Sequence, residues 1–362
     1  MLILCVALLM TRVGVYFQSW SSKWSSQHLD LESVEGDVIY LAFVKPDCNY
    51  QKGQYTFSGT GLDFSSDFKV VRDAITVLKN NGKTVMLSVG GATYGFGVVK
   101  IENLVALQKD LNCDGIDIDW EPTTNDPDMF TKLLKLFGQH KIGYLSAAVF
   151  SIGAYGEGQW ANATPQGMYT GMNRKGLIEA GDTLDWINIM SYDASDAFNP
   201  TEAFMAYKSI FKKDIYLGFE VGQQAWGGAL LTIDQVKTCG SFVVSQQGHF
   251  FVWSWQKEGN PNTKQVIDIL KSLPMILTPS NPPPPPTPAP TIPLPPLPPK
   301  ETGTQTDPVD CTCTCHPKID WREWTVYQHG HVVMYQGQMY TCRQAHTSQP
   351  DWTPTQTPAL WK

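Results

Sequence analysis

Short apolar runs alternate with amphipathic stretches from residue 12 to residue 273. The runs Val13–Trp20, Val38–Val44, Thr84–Gly91, Gly115–Glu121, Ile142–Phe150, Trp186–Tyr192, Ile215–Val221 and Phe250–Trp255 read as strands. Between them apolar residues return at helical spacing, as Phe68, Val71, Ile75 and Leu78 do before Asn81-Gly82 stops the pattern. Eight such alternations predict an α/β fold, a parallel (β/α)8 barrel with its active site at the C-terminal ends of the strands. A doubly wound open sheet is the competing architecture. No G-x-G-x-x-G follows the first strand, which weighs against it.

Beyond residue 275 the pattern changes. Proline and threonine dominate from Pro279 to Pro299, with five consecutive prolines at 282–286. Proline fixes φ and lacks an amide donor, so eighteen residues of this stretch at about 3.1 Å each predict an extended spacer of about 55 Å between two folded parts. A ligand for a proline-binding partner is the alternative. The expected organisation is an apolar segment at 1–11, a barrel domain at 12–275, a linker at 276–310 and a small all-β module at 311–362. Met1 to Met10 is too short for a membrane span. It has the apolar core of an export signal, without the basic start or a clear cleavage site.

Composition narrows the partners. The formal net charge of −7 leaves no basic footprint for nucleic acid or an anionic membrane. A neutral polymer fits better, and 12 Trp and 14 Tyr supply flat faces suited to sugar rings. Cys5, Cys48, Cys113 and Cys239 are scattered, whereas Cys311, Cys313, Cys315 and Cys342 cluster late. The run from Cys311 to His316 lacks zinc-ligand spacing, so no metal is expected and disulfides in an exported protein are the preferred reading. Asn162-Ala163-Thr164 is a glycosylation sequon if the chain is exported. No cofactor is expected, and the protein is read as a monomer.

The segment Asp114-Gly115-Ile116-Asp117-Ile118-Asp119-Trp120-Glu121 is the most informative. A strand alternates its faces, so Asp117, Asp119 and Glu121 share one and Ile116, Ile118 and Trp120 the other. In a barrel the apolar face packs on the helices and three acids point inward and toward the mouth. Folding does not ask for this, because buried carboxylates are costly unless proton and hydrogen-bond sharing relieves them. Such a row is a candidate catalytic site.

D-G-I-D-I-D-W-E resembles the D-x-x-D-x-D-x-E signature of family 18 glycoside hydrolases, the chitinases and their relatives. Ser88-Val89-Gly90-Gly91 resembles the family's S-x-G-G, and Met190-Ser191-Tyr192-Asp193 its M-x-Y-D. Trp253 matches the tryptophan beneath the cleaved sugar. The resemblance implies hydrolysis of β-1,4-N-acetylglucosamine linkages with retention, the substrate's acetamide acting as nucleophile through an oxazolinium-like intermediate. It implies Glu121 as the acid, Asp119 holding the acetamide N–H, Asp117 behind it sharing a proton, and Tyr192 bonding the acetamide oxygen. Asp193 and Trp253 contact the sugar. Met190 and Gly90 belong to the same motifs, while Tyr16 and Phe43 either line the pocket or serve as core. Ser88 and the glycines shape the end of the third strand rather than touch substrate. Few residues separate the last two strands, so a shallow groove and endo-type cutting are expected. Glu220 is either a substrate contact or an ordinary surface carboxylate.

The run from Trp321 to Trp361 is rich in aromatics and glycine turns, and resembles the family 5/12 chitin-binding modules. Most of its aromatics are needed for its own core. Trp352 and then Trp321 are the candidate stacking platforms. Two rival functions are a non-catalytic chitinase-like lectin and an enzyme cutting the chitobiose core of N-glycans. The intact Glu121 argues against the first and the attached module against the second. The expected partner is chitin or its oligosaccharides, met outside the cell.

Overall fold

The computed structural model describes residues 11–20, 27–140, 143–225, 227–228 and 230–274. In the C-terminal region it describes 319–321, 326–327, 331–343, 346–348, 353–355, 357 and 360–362. The chain separates into two units, residues 1–278 and 279–362.

The first unit is the expected (β/α)8 barrel. Its strands are β1 (Val13–Gln18), β2 (Val38–Val44), β3 (Thr84–Gly90), β4 (Gly115–Asp119), β5 (Tyr144–Phe150), β6 (Trp186–Met190), β7 (Asp214–Glu220) and β8 (His249–Trp253). They pair in parallel in chain order, and β8 closes onto β1. Around them run α1 (Gln27–Glu32), α2 (Phe68–Asn80), α3 (Ile101–Asp110), α4 (Pro127–Gln139), α5 (Arg174–Ala180), α6 (Pro200–Ile210), α7 (Ile233–Ser245) and α8 (Thr263–Ser272).

Parity along the strands divides the core in two. Tyr16, Val38, Tyr40, Ala42, Met86, Trp186, Tyr216 and Phe251 fill the barrel. The alternate residues, Ile116 and Ile118 of β4 among them, pack outward with the helices in a larger cluster. Trp120 joins that cluster and stacks on Phe130 of α4, centroids 6.1 Å apart. Helix starts are fixed locally: the Asp126 side chain accepts from the Met129 amide, and Thr232 with Gln235 and Asn262 with Gln265 form capping boxes.

Four strands end two residues before the apolar runs do, at Gln18, Asp119, Met190 and Trp253. Barrel strands diverge into loops at the mouth, so the last residues of each run leave the hydrogen-bonded ladder. Glu121 and Tyr192 stand in that divergent zone.

In the second unit β9 (Ile319–Asp320), β11 (Val332–Tyr335) and β12 (Gln338–Thr341) form one sheet. The strands β10 (Val326–Tyr327) and β13 (His346–Thr347) form another. Tyr327, Val333, Cys342 and Trp361 make its small core, with Tyr327 edge-on to Trp361 at 4.9 Å. Aromatics do build this interior, as so small a domain requires. Trp321 is half-buried and meets Tyr335 edge-on at 5.1 Å. Trp352, the linker and Cys5, Cys311, Cys313 and Cys315 lie outside the described residues. Among the described residues no helix is long and apolar enough to cross a membrane.

Phe137 is buried on the inner face of α4. Phe137→Ala is expected to cost about 3–5 kcal/mol, read as a lower urea midpoint of unfolding with an unchanged slope.

Candidate active site

Asp117 lies at the centre of the barrel, fully buried. Its register partners on the neighbouring strands are Ser88 of β3 and Ser146 of β5. Both hydroxyls donate to it, Ser88 Oγ to Oδ2 at 2.8 Å and Ser146 Oγ to Oδ1 at 2.7 Å. The Tyr16 hydroxyl donates to Oδ2 at 3.0 Å and Asn188 Nδ2 to Oδ1 at 3.3 Å. Behind these donors runs a one-way chain. Trp186 Nε1 donates to the Tyr40 hydroxyl at 2.8 Å, and that hydroxyl to Asn188 Oδ1 at 3.1 Å. Asn188 Nδ2 also donates to the Tyr16 oxygen at 3.3 Å. The whole network ends on Asp117. Burial pushes its carboxyl pKa up on balance, and the four donors pull it only part of the way back by favouring the anion.

Asp119 differs. It is nearly as buried, yet its Oδ1 has no hydrogen-bond partner among the described residues. Burial, then the charges of Glu121 and Asp117, push its pKa well above the carboxylate range. The sequence reading has Asp117 sharing a proton with Asp119. Both Asp117 oxygens accept hydrogen bonds here, which favours its anion over that of Asp119.

Glu121 stands at the mouth. Burial and then the neighbouring charge of Asp193 raise its pKa to about 7, against the Ala92 amide, which donates to it and lowers it. The Tyr192 phenol is pushed well up by burial and by Asp119, Glu220, Glu121 and Asp193, in that order. Four acids therefore surround its hydroxyl, and it is held as a neutral donor. Asp193 takes a left-handed backbone, φ 53°, with its amide donating to Gln224 Oε1 at 2.7 Å and its Oδ1 accepting from the Ala225 amide.

An aromatic surface borders the acids. Trp253 and Phe43 lie nearly parallel with centroids 5.7 Å apart, and Phe43 and Trp20 continue the row at 5.9 Å. Trp20 is 44% exposed. Phe43 is thus a wall of the mouth. Tyr16 is only 2% exposed and acts beneath the site, stacked on Tyr40 at 4.5 Å. Met190 and Tyr192 pack on the same inner cluster. Gly90 has φ +113°, and a Cβ there would lie 2.0 Å from the Asp119 carbonyl oxygen. A Cβ on Gly91 would meet the Phe43 ring at 2.6 Å. The two glycines let β3, β4 and Phe43 approach closely, and Ser88 serves Asp117.

Asn188, Ser146, Tyr40, Trp20 and Lys257 were not singled out in the sequence. Asn188 and Ser146 occupy inward positions of β6 and β5, where a polar side chain in an apolar strand is itself the signal. Glu220 is 5% exposed and ion-paired with Lys257, which rules out an ordinary surface carboxylate. Among the described residues no cluster of His, Cys, Asp or Glu is arranged to hold a metal.

The family model for glycosyl hydrolases family 18 matches residues 12–255, more than half of the chain. The chain belongs to that family. A second model, carbohydrate-binding module family 5/12, matches residues 320–362. Endochitinase 1 of Metarhizium anisopliae is 30% identical over 138 residues, 35% of this chain and 32% of that protein. Streptogrisin-C of Streptomyces griseus is 48% identical over 60 residues, 17% of this chain and 13% of that protein. The chain thus spans a third or less of the length of these curated relatives. A family 18 chitinase structure from Pseudoalteromonas aurantia covers 73% of this chain and all of its own, with TM-score 0.54 and 20% identity. That likeness concerns the fold. In this family 18 barrel, the acids just described are the candidate catalytic groups.

Asp117→Asn exchanges an acceptor oxygen for a donor amide that faces two donors, at least one of them a hydroxyl, whichever way the amide turns. The expected loss of stability is about 2–3 kcal/mol, against about 1 kcal/mol for Ser146→Ala; urea unfolding of both variants checks the ranking.

Proposed function

We propose that this family 18 enzyme hydrolyses β-1,4-linked N-acetylglucosamine in chitin with retention of configuration, using the substrate's acetamide as nucleophile. The observation that carries the reading is the partnerless Asp119 oxygen, set between a hydrogen-bonded Asp117 and a protonated Glu121. It is a buried acceptor waiting for a donor, and an acetamide N–H is one.

The sugar stacks on Trp253, and Asp119 accepts its acetamide N–H. The Tyr192 hydroxyl donates to the acetamide oxygen and holds it below the anomeric carbon. Glu121 gives its proton to the glycosidic oxygen, the bond to the leaving sugar breaks, and the acetamide oxygen closes on the anomeric carbon. The resulting oxazolinium carries positive charge. As Glu121 becomes an anion, the Asp119 proton moves toward it, which leaves negative charge on Asp119 beside the cationic ring. Water then opens the ring from the face that the leaving group vacated, giving back its proton to the acids. Two inversions at one carbon give net retention. No protein nucleophile is needed.

The aromatic row of Trp253, Phe43 and Trp20 supports binding of consecutive sugar units. The direct β7–α7–β8 connection, with no inserted domain, supports an open groove and cutting within the polymer. The C-terminal module is assigned to holding insoluble chitin, and the substrate places the enzyme outside the cell.

Glu121→Gln is expected to lower kcat on soluble chitin oligomers by at least about a thousandfold while leaving oligomer binding within about threefold. Because the acid works only when protonated, kcat/KM should fall as pH rises through about 7. A profile flat to pH 9, or a Gln variant of near-normal rate, contradicts the assignment. Proton NMR of the first product should show the β anomer; an α first product contradicts retention.

Removing residues 300–362 should lower the rate on insoluble chitin severalfold and spare soluble oligomers. Equal loss on both substrates contradicts the holding role.

A further inference from the structure

Glu220 ends β7, and its register partner is Trp253 at the end of β8. The two residues are therefore at one level of the barrel, on adjacent strands. Glu220 is 5% exposed. Its Oε1 is ion-paired with Lys257, whose ammonium also lies 5.9 Å from the centre of the Trp253 ring. Its Oε2 is buried and has no hydrogen-bond partner among the described residues. Both Glu220 and Ser195, whose Oγ also lacks such a partner, line a cavity of about 190 Å³. Tyr192, Phe198, Gln224 and Gln235 complete much of its wall. Tyr192 also belongs to the acid cluster, so this cavity borders the reacting centre.

A buried carboxylate oxygen without a donor is costly, and native structures rarely leave one so. Lys257 satisfies one oxygen and holds the carboxylate in place; the other has no donor among the described residues, its acidic neighbour Asp193 being itself an acceptor when ionised. The groups a neutral N-acetylglucosamine unit can offer there, once its acetamide is engaged by Asp119 and Tyr192, are hydroxyl donors. Burial raises the Glu220 pKa to about 7, with the Asp193 charge adding to it, against Lys257, which lowers it. As the anion, Glu220 offers that second oxygen as an acceptor.

We propose that Glu220, oriented by Lys257, is a specificity-determining residue that accepts a hydrogen bond from a ring hydroxyl of the sugar seated on Trp253. This deepens the function proposed above and rests on it. Glu220 thereby selects units whose hydroxyl is free and rejects units in which that hydroxyl is missing or etherified.

The test compares chitotetraose with synthetic tetramers carrying a 3-deoxy or a 6-deoxy unit at the cleaved position. One of the two deoxy substrates should lose about tenfold or more in kcat/KM on the wild-type enzyme. That loss should shrink to about threefold or less on the Glu220→Leu/Lys257→Leu double variant, which removes both charges together. Glu220→Gln, nearly isosteric, should fall between them and serves if the double variant does not fold. Neither deoxy substrate losing activity on the wild type overturns the proposal, as does an equal loss on wild type and variants. If wild type fails to cleave the parent tetramer, the chitin-hydrolase reading goes, and this inference with it.

Discussion

A carboxylate at the centre of a barrel is tolerable only when donors surround it, and at Asp117 they come from β1, β3, β5 and β6 at once. Parallel pairing makes this possible, because Ser88, Asp117 and Ser146 stand in register across three adjacent strands. Tyr40 and Trp186 add nothing to the reacting surface. They orient Asn188, so that its amide rather than its carbonyl faces the acid. The lower half of the barrel is in effect a device for fixing one negative charge.

The consequences run outward along β4. With Asp117 saturated by donors, the next acid has no comparable help, and protonation of Asp119 is favoured by burial and by the charges on either side. Glu121 is raised by burial and by Asp193, which lies across the mouth. Three carboxyls of one short run thus acquire three different characters from their depth and their neighbours, although the sequence spells them at equal spacing. Glu220 continues the same logic on the opposite wall. It alone of the mouth's acids pairs with a cation among the described residues, and Lys257 ties it to the aromatic floor.

Much of this was legible in the sequence, and the reasons differ by element. The eight strands were readable because each is a short apolar run, and a parallel sheet covered on both faces permits little else. The acid row was readable because β4 interrupts that rule at every second residue. Strand ends were placed up to two residues too far, since hydrophobic pattern continues into the divergent mouth after pairing has stopped. Whether Tyr16 lines the pocket or belongs to the core was not legible, because sequence gives the face on which a side chain lies but not its depth. Lys257 was invisible for a related reason. It lies in a loop with no periodicity, and only the closure of β8 against β7 brings it to Glu220. The glycines after Ser88 were read as shaping the strand, and the near contacts with the Asp119 carbonyl and the Phe43 ring explain why.

The central claim is that the donors fix the charge on Asp117 and leave the proton on Asp119. Carbon-13 NMR of protein labelled at the aspartate carboxyl carbons, with signals assigned through Asp117→Asn and Asp119→Asn, reads both groups directly. At pH 6 the account predicts a carboxylate shift for Asp117 and a protonated carboxyl shift for Asp119. The reverse order, or two carboxylate shifts at that pH, would contradict it.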